Sequence, residues 1–169
     1  MPLTFYASVK DLPPFEDYSI KGRTYRYFQG KPGYAFGYGL SYTSFAYAPL
    51  VVEPVNGAAE NGLRVTTEIT NTGARDGDEV AELYLTPPAF EGAPRLALRG
   101  FQRITLKAGE HKKVTFELSP RDLSFVDVAG KRQVFAGTYR ISVGSGQPDS
   151  GLPSQSASAS AGHAVTLPE

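Results

Sequence analysis

From Tyr42 to the end of the chain, apolar residues recur at every second position in short runs. A turn signal closes each run after roughly ten residues. Leu63, Val65, Thr67 and Ile69 alternate with Arg64, Thr66, Glu68 and Thr70. Ala81, Leu83 and Leu85 alternate with Glu82, Tyr84 and Thr86 before Pro87 and Pro88 end the run. Val114, Phe116 and Leu118 face away from Lys113, Thr115 and Glu117, and Tyr139, Ile141 and Val143 repeat the pattern after Gly137. A period of two sends successive side chains to opposite faces of a strand, so each run has one face to bury. Asn71-Thr72-Gly73, Asp76-Gly77 and Ala108-Gly109-Glu110 carry the turn chemistry between runs. Phe45 to Val52 reads as a first strand that Pro49 confines to an edge. Leu96 to Leu106 is a longer apolar strand, and Val165 and Leu167 complete a last one. Helical pattern is limited to single turns: Ser8 to Asp11, stopped by Pro13 and Pro14, and Ser119 to Asp122 with Pro120 at its first position.

About seven short strands with turns between them imply an all-β fold. It should be an antiparallel β-sandwich, fibronectin type III or immunoglobulin-like, with Tyr139 placed as a tyrosine corner. Ser145 to Ala161 is Ser, Ala, Gly and Pro with almost no apolar bulk, and reads as a flexible loop.

The first forty residues behave differently. Leu3 to Tyr6 is a β-prone run with no hairpin partner nearby, and an irregular N-terminal arm follows it. Gly22 to Tyr47 then holds nine of the chain's twenty Tyr and Phe residues together with five glycines. Tyr34, Phe36 and Tyr38 alternate with Ala35, Gly37 and Gly39, which predicts an extended ribbon with rings on one face and bare backbone on the other. Residues 1–40 therefore form an arm that packs against something, and residues 41–169 form the sandwich.

Charge and composition exclude several classes of function. Seventeen basic and seventeen acidic residues cancel, so no global field draws nucleic acid or an anionic membrane. The segment Lys21 to Phe28 partly matches an RNA-recognition strand. Arg23 nevertheless occupies the first aromatic position, and no alternating α/β pattern surrounds it. No cysteine is present, which removes disulfide and thiol chemistry. His111 and His163 lie far apart, and Asp76 to Glu79 lacks the ligand spacing of a calcium loop. No metal or cofactor is expected. Met1 to Ile20 contains no continuous apolar run, so neither a signal peptide nor a membrane span is read there, and the compartment stays open.

Several stretches together carry a family resemblance. They are Thr4-Phe-Tyr, Asp11-Leu-Pro-Pro-Phe, Gly22-Arg-Thr-Tyr-Arg-Tyr-Phe, Phe36-Gly-Tyr-Gly-Leu-Ser-Tyr-Thr, Asn71-Thr-Gly, Gly77-Asp-Glu-Val, Leu83-Tyr, Leu98-Arg-Gly-Phe, Ala108-Gly-Glu and Gly137-Thr-Tyr. In this order the chain resembles the C-terminal part of glycoside hydrolase family 3, the β-glucosidases, β-xylosidases and relatives. The resemblance implies a fibronectin type III-like domain preceded by the last strand of an α/β domain and a connecting arm. It also implies a parent enzyme that hydrolyses β-glycosides with retention, using two carboxylates. In the family the nucleophile is a barrel Asp beside a Trp, and this chain has no Trp. The acid/base Glu generally belongs to the α/β domain, so no catalytic residue is carried over. The stretch after Gly144 departs from the family in being longer and poorer in apolar residues.

The expected function is that of a non-catalytic accessory domain, not an enzyme as this chain alone. Its partners would be the catalytic domains of the parent glycosidase, in cis or in trans. Arg23, Arg26, Phe28, Phe36 and Tyr38 are the candidate interdomain contacts. The alternatives are a glycan-binding module using Tyr25, Tyr27 and Tyr34, and one part of a split enzyme whose unpaired Leu3 to Tyr6 strand seeks another chain.

Overall fold

A computed structural model describes residues 3–168. The alternating runs form the strands expected of them. In chain order these are β1 (Phe5–Tyr6), a helical turn α1 (Thr24–Tyr27), β2 (Pro32–Tyr34), β3 (Phe45–Tyr47), β4 (Val51–Pro54), β5 (Leu63–Asn71), β6 (Gly77–Thr86), β7 (Ala97–Leu106) and β8 (His111–Leu118). A second turn α2 (Pro120–Leu123) precedes β9 (Phe125–Val126), β10 (Arg132–Val134), β11 (Gly137–Gly144), β12 (Ser154–Ala161) and β13 (Val165–Thr166).

Two antiparallel sheets enclose the core. One runs β12-β11-β6-β7. In the other, β5 pairs along its length with β8 on one side, and with β3 and β4 in succession on the other. The break between β3 and β4 falls at Pro49, as an edge proline requires. Leu63, Val65 and Ile69 of β5 meet Ala81, Leu83 and Leu85 of β6 and Tyr139, Ile141 and Val143 of β11 in one buried cluster. A small sheet β13-β10-β9 closes one end. The proline-rich loop after β6 stays close to it, because Phe90 stacks on Phe135 at 3.8 Å.

Local signals at the termini of elements are realised in detail. Ser8 and Ser119 each cap a single turn in a reciprocal capping box. Tyr139 is a tyrosine corner: its hydroxyl donates to the Phe135 carbonyl at 3.0 Å and accepts from the Phe135 N–H at 2.8 Å. Burial pushes that hydroxyl up to about 12.

Three expectations need correction. Residues 154–161 are not a loop but β12, paired with β11 through eight consecutive residues from Gly137↔Ala161 to Gly144↔Ser154. Ladder hydrogen bonds and the Ser142–Ser156 hydroxyl contact at 2.8 Å hold this strand where apolar bulk does not. Only residues 145–153 connect the two strands. The strand at Phe5–Tyr6 is not unpaired either, since it pairs with Pro32–Tyr34 inside the arm. Nor is the aromatic ribbon extended throughout. It turns at Gly37, whose φ is +83°, and the Tyr38 N–H closes the turn on the Ala35 carbonyl at 3.1 Å.

Candidate interdomain docking arm

The arm has an inner and an outer face. Its inner face covers the solvent side of β6, where alternation places Glu82 and Tyr84. Tyr84 is only 1% exposed although it points away from the sandwich core. The Tyr25 ring lies between Phe36, 4.4 Å away, and the edge of Tyr84, 6.0 Å away. The Tyr25 hydroxyl accepts from the Leu98 N–H at 3.1 Å. Backbone bonds run the same way: Arg95 N–H donates to the Arg26 carbonyl at 2.7 Å, and Gln147 N–H to the Phe36 carbonyl at 2.9 Å. At Gly37 the two layers touch so closely that a Cβ would stand 2.5 Å from a Glu82 carboxylate oxygen and 2.6 Å from the Gly146 Cα. Glycine is needed there both for the turn and for the approach.

Covering β6 changes its polar groups. Glu82 is half-buried, and burial raises its carboxyl above the ordinary range while the Tyr84 hydroxyl donates to it at 2.5 Å. Burial and the facing carboxylate push the Tyr84 hydroxyl up in turn. The alternation of β6 placed Glu82 on a solvated face, and the arm partly covers it. On the core side of the same strand, Glu79 accepts from the Tyr47 and Ser145 hydroxyls, each at 2.5 Å, and so joins β3 to β6. Asp76 accepts from the Ala108 N–H, and Asp78 holds Arg103 and Thr105. The acids of this turn thus serve the local structure. Among the described residues no group of three or more His, Asp or Glu is placed to hold a metal ion, and His163 faces Glu60 at 3.0 Å.

The outer face is apolar and uncovered. Among the described residues, ten of the fifteen exposed large hydrophobic side chains lie between Leu3 and Tyr42, including Phe15 at 90%, Tyr18 at 88%, Leu40 at 92% and Tyr42 at 93%. Leu12, Phe15 and Tyr18 line one shallow recess together, and contiguous exposed apolar patches mark interaction surfaces. No helix of the described residues is long and apolar enough to cross a membrane.

The candidate contact residues divide between the two faces. Phe28 is buried against Tyr6, with ring centroids 4.8 Å apart. Phe36 packs on Tyr25 and therefore faces the sandwich. Arg23 donates to the carbonyls of Ser19, Pro14 and Asp17, which shapes the 14–19 loop rather than leaving a free outward fork. Tyr38 lies 4.9 Å from Tyr34. Arg26 stands over the Tyr27 ring beside a recess described below. The three candidate glycan tyrosines do not share one platform. Tyr25 is part-buried and lines a recess with Leu3 and Tyr6, Tyr27 lines the recess at Arg26, and Tyr34 lines a third with Lys31 and Asp149. The outward residues Phe15, Tyr18, Leu40 and Tyr42 were not among the candidates. Their signal in the sequence is large apolar side chains in a segment with no period that would bury them.

Residues 79–147 match the family described as a fibronectin type III-like domain. The chain carries a fibronectin type III-like domain, and over most of its length it is similar to part of β-xylosidases and β-glucosidases. It is 37% identical over 153 residues to the xylan 1,4-beta-xylosidase of Xylanibacter ruminicola, covering 90% of this chain and 17% of that protein. It is 40% identical over 145 residues to the probable beta-glucosidase D of Emericella nidulans, covering 74% and 18%. The solved beta-D-glucoside glucohydrolase of Trichoderma reesei superposes with a TM-score of 0.77 at 31% identity, covering 94% of this chain and 26% of that one. The chain thus spans less than a fifth of these two curated relatives.

Proposed function

We propose that the chain is the non-catalytic C-terminal portion of a β-glycosidase, and that its work is to hold and position the catalytic domains. The observation that carries this reading is the uncovered apolar face between Leu3 and Tyr42, presented by an arm whose other face is fixed to the sandwich. A flexible tether would need neither face. A free-standing domain would bury the outer one, since leaving large side chains in water forgoes roughly 1.5–3 kcal/mol each. The relatives that match 74% and 90% of the chain are a probable β-glucosidase and a β-xylosidase several times its length, which supports catalytic domains as the partner. Under this reading β1 is the last strand of the preceding domain, and hydrolysis of O-glycosyl bonds belongs to the parent.

Purified chain incubated with nitrophenyl β-glucoside and nitrophenyl β-xyloside should show no turnover above a buffer blank. Measurable turnover that one carboxylate substitution abolishes would overturn the proposal.

A further inference from the structure

Where the arm meets the edge of β9, three arginines converge, and none of them makes an ion pair among the described residues. Arg26 comes from α1, Arg99 from β7 and Arg132 from β10. They line a recess of about 340 Å³ together with Tyr27, Ser124 and Phe125. Arg99 reaches it through a β-bulge: pairing of β6 with β7 jumps from Leu83↔Gly100 to Tyr84↔Leu98 and leaves Arg99 without a partner in the register. Such bulges redirect a side chain. The Arg99 guanidinium then lies 4.6 Å over the Phe125 ring and donates to the Ser124 carbonyl at 2.8 Å. Arg132 donates to the Ser124 hydroxyl at 3.2 Å.

The nearby Asp122 accepts from the N–H and hydroxyl of Ser119 and attracts Arg99 without contacting it, one carboxylate against three guanidinium groups. The Nε atoms of Arg26 and Arg99 are buried and have no acceptor. Unpaired buried donors are costly, and more so when charged. Burial first, and then the charge of Arg26, press the Arg99 guanidinium below its ordinary value, with Arg132 adding to the effect and Asp122 and Tyr25 opposing it. Arginine does not give up its proton in response, so an anion in the recess would relieve the arrangement.

We propose that this recess is a binding site for a compact oxyanion, carried by a carboxylate or a phosphate group. Guanidinium forks match both groups, with paired N–H donors aimed at two oxygens. Arg26, Arg99 and Arg132 all line the recess and bring guanidinium N–H donors to it, and the Nε–H groups of Arg26 and Arg99 behind them report on the charge that enters. The site depends on the arm being docked, since Arg26 and Tyr27 belong to it.

The test is titration of the labelled chain, following the arginine Nε–H resonances by NMR. D-glucuronate and inorganic phosphate are the probes, D-glucose is the neutral control, and ionic strength is held constant with chloride. At least one anion should move the Arg26 and Arg99 Nε–H signals saturably, with glucose silent, and the stronger of the two identifies the group. Arg132→Gln should weaken the binding at least about tenfold while the backbone spectrum stays folded, and Arg26→Gln does the same from the arm side. Shifts no larger than chloride produces, or equal affinity in both variants, would overturn the assignment.

Discussion

Glu79 and Glu82 stand three residues apart on β6, face opposite ways, and are both at least partly withdrawn from water. Glu79 looks into the core and ties Tyr47 of β3 to Ser145 beyond β11. Tyr47→Phe removes one of the two hydroxyls satisfying a buried carboxylate, and should cost about 1–3 kcal/mol in urea unfolding; an unchanged midpoint would show that the bond carries no stability. Glu82 looks out, and burial under the arm raises its carboxyl. Between its unfolded value and the raised folded one, the folded state binds more protons, so this group's contribution to stability falls as pH rises through that window. Glu82→Gln should therefore gain on the parent chain as pH rises through that window. Asp149, held below its ordinary range first by its hydrogen bond with Arg140, slopes the other way. It is common to both proteins and cancels from the difference. Parallel pH profiles would contradict the account. The alternation of β6 placed Glu82 opposite the core face, but showed neither that Glu79 enters the core nor that a distant segment covers Glu82.

At the scale of elements, β5, β6, β8 and β11 were legible because each has one apolar face and turn residues at its ends. β12 was not, although Ser156, Ser158 and Ser160 alternate with Ala157, Ala159 and Ala161 in the required period. Alanine is too small to announce a buried face, and the strand is held mainly by pairing to β11. The arm failed for another reason: Tyr34, Phe36 and Tyr38 have period two, yet Gly37 permits a turn that sends Phe36 to the sandwich and leaves Tyr34 beside Tyr38. Gly37→Ala tests this fixation. A positive φ costs alanine roughly 1–2 kcal/mol, and its Cβ would meet Glu82 and Gly146. The arm should loosen, with loss of tyrosine signal in near-ultraviolet circular dichroism and a lower melting temperature. A variant matching the parent in both would mean the arm is not anchored at this turn.

For the whole molecule, the division into arm and sandwich follows from the residues, whereas the two-faced character of the arm does not. Tyr25, Phe36 and Tyr84 secure one face to this domain. Phe15, Tyr18, Leu40 and Tyr42 leave the other facing water. The reading that this second face seats a catalytic domain is tested most directly by hydrogen exchange. The chain would be measured alone and after mixing with the remainder of the Xylanibacter ruminicola β-xylosidase, expressed without the segment this chain matches. The account predicts slower exchange in residues 3–42 on mixing, with β5 and β11 unchanged, and loss of that protection with Phe15→Asp and Tyr18→Asp combined. Unaltered exchange in the arm, or protection confined to the sandwich, would contradict it.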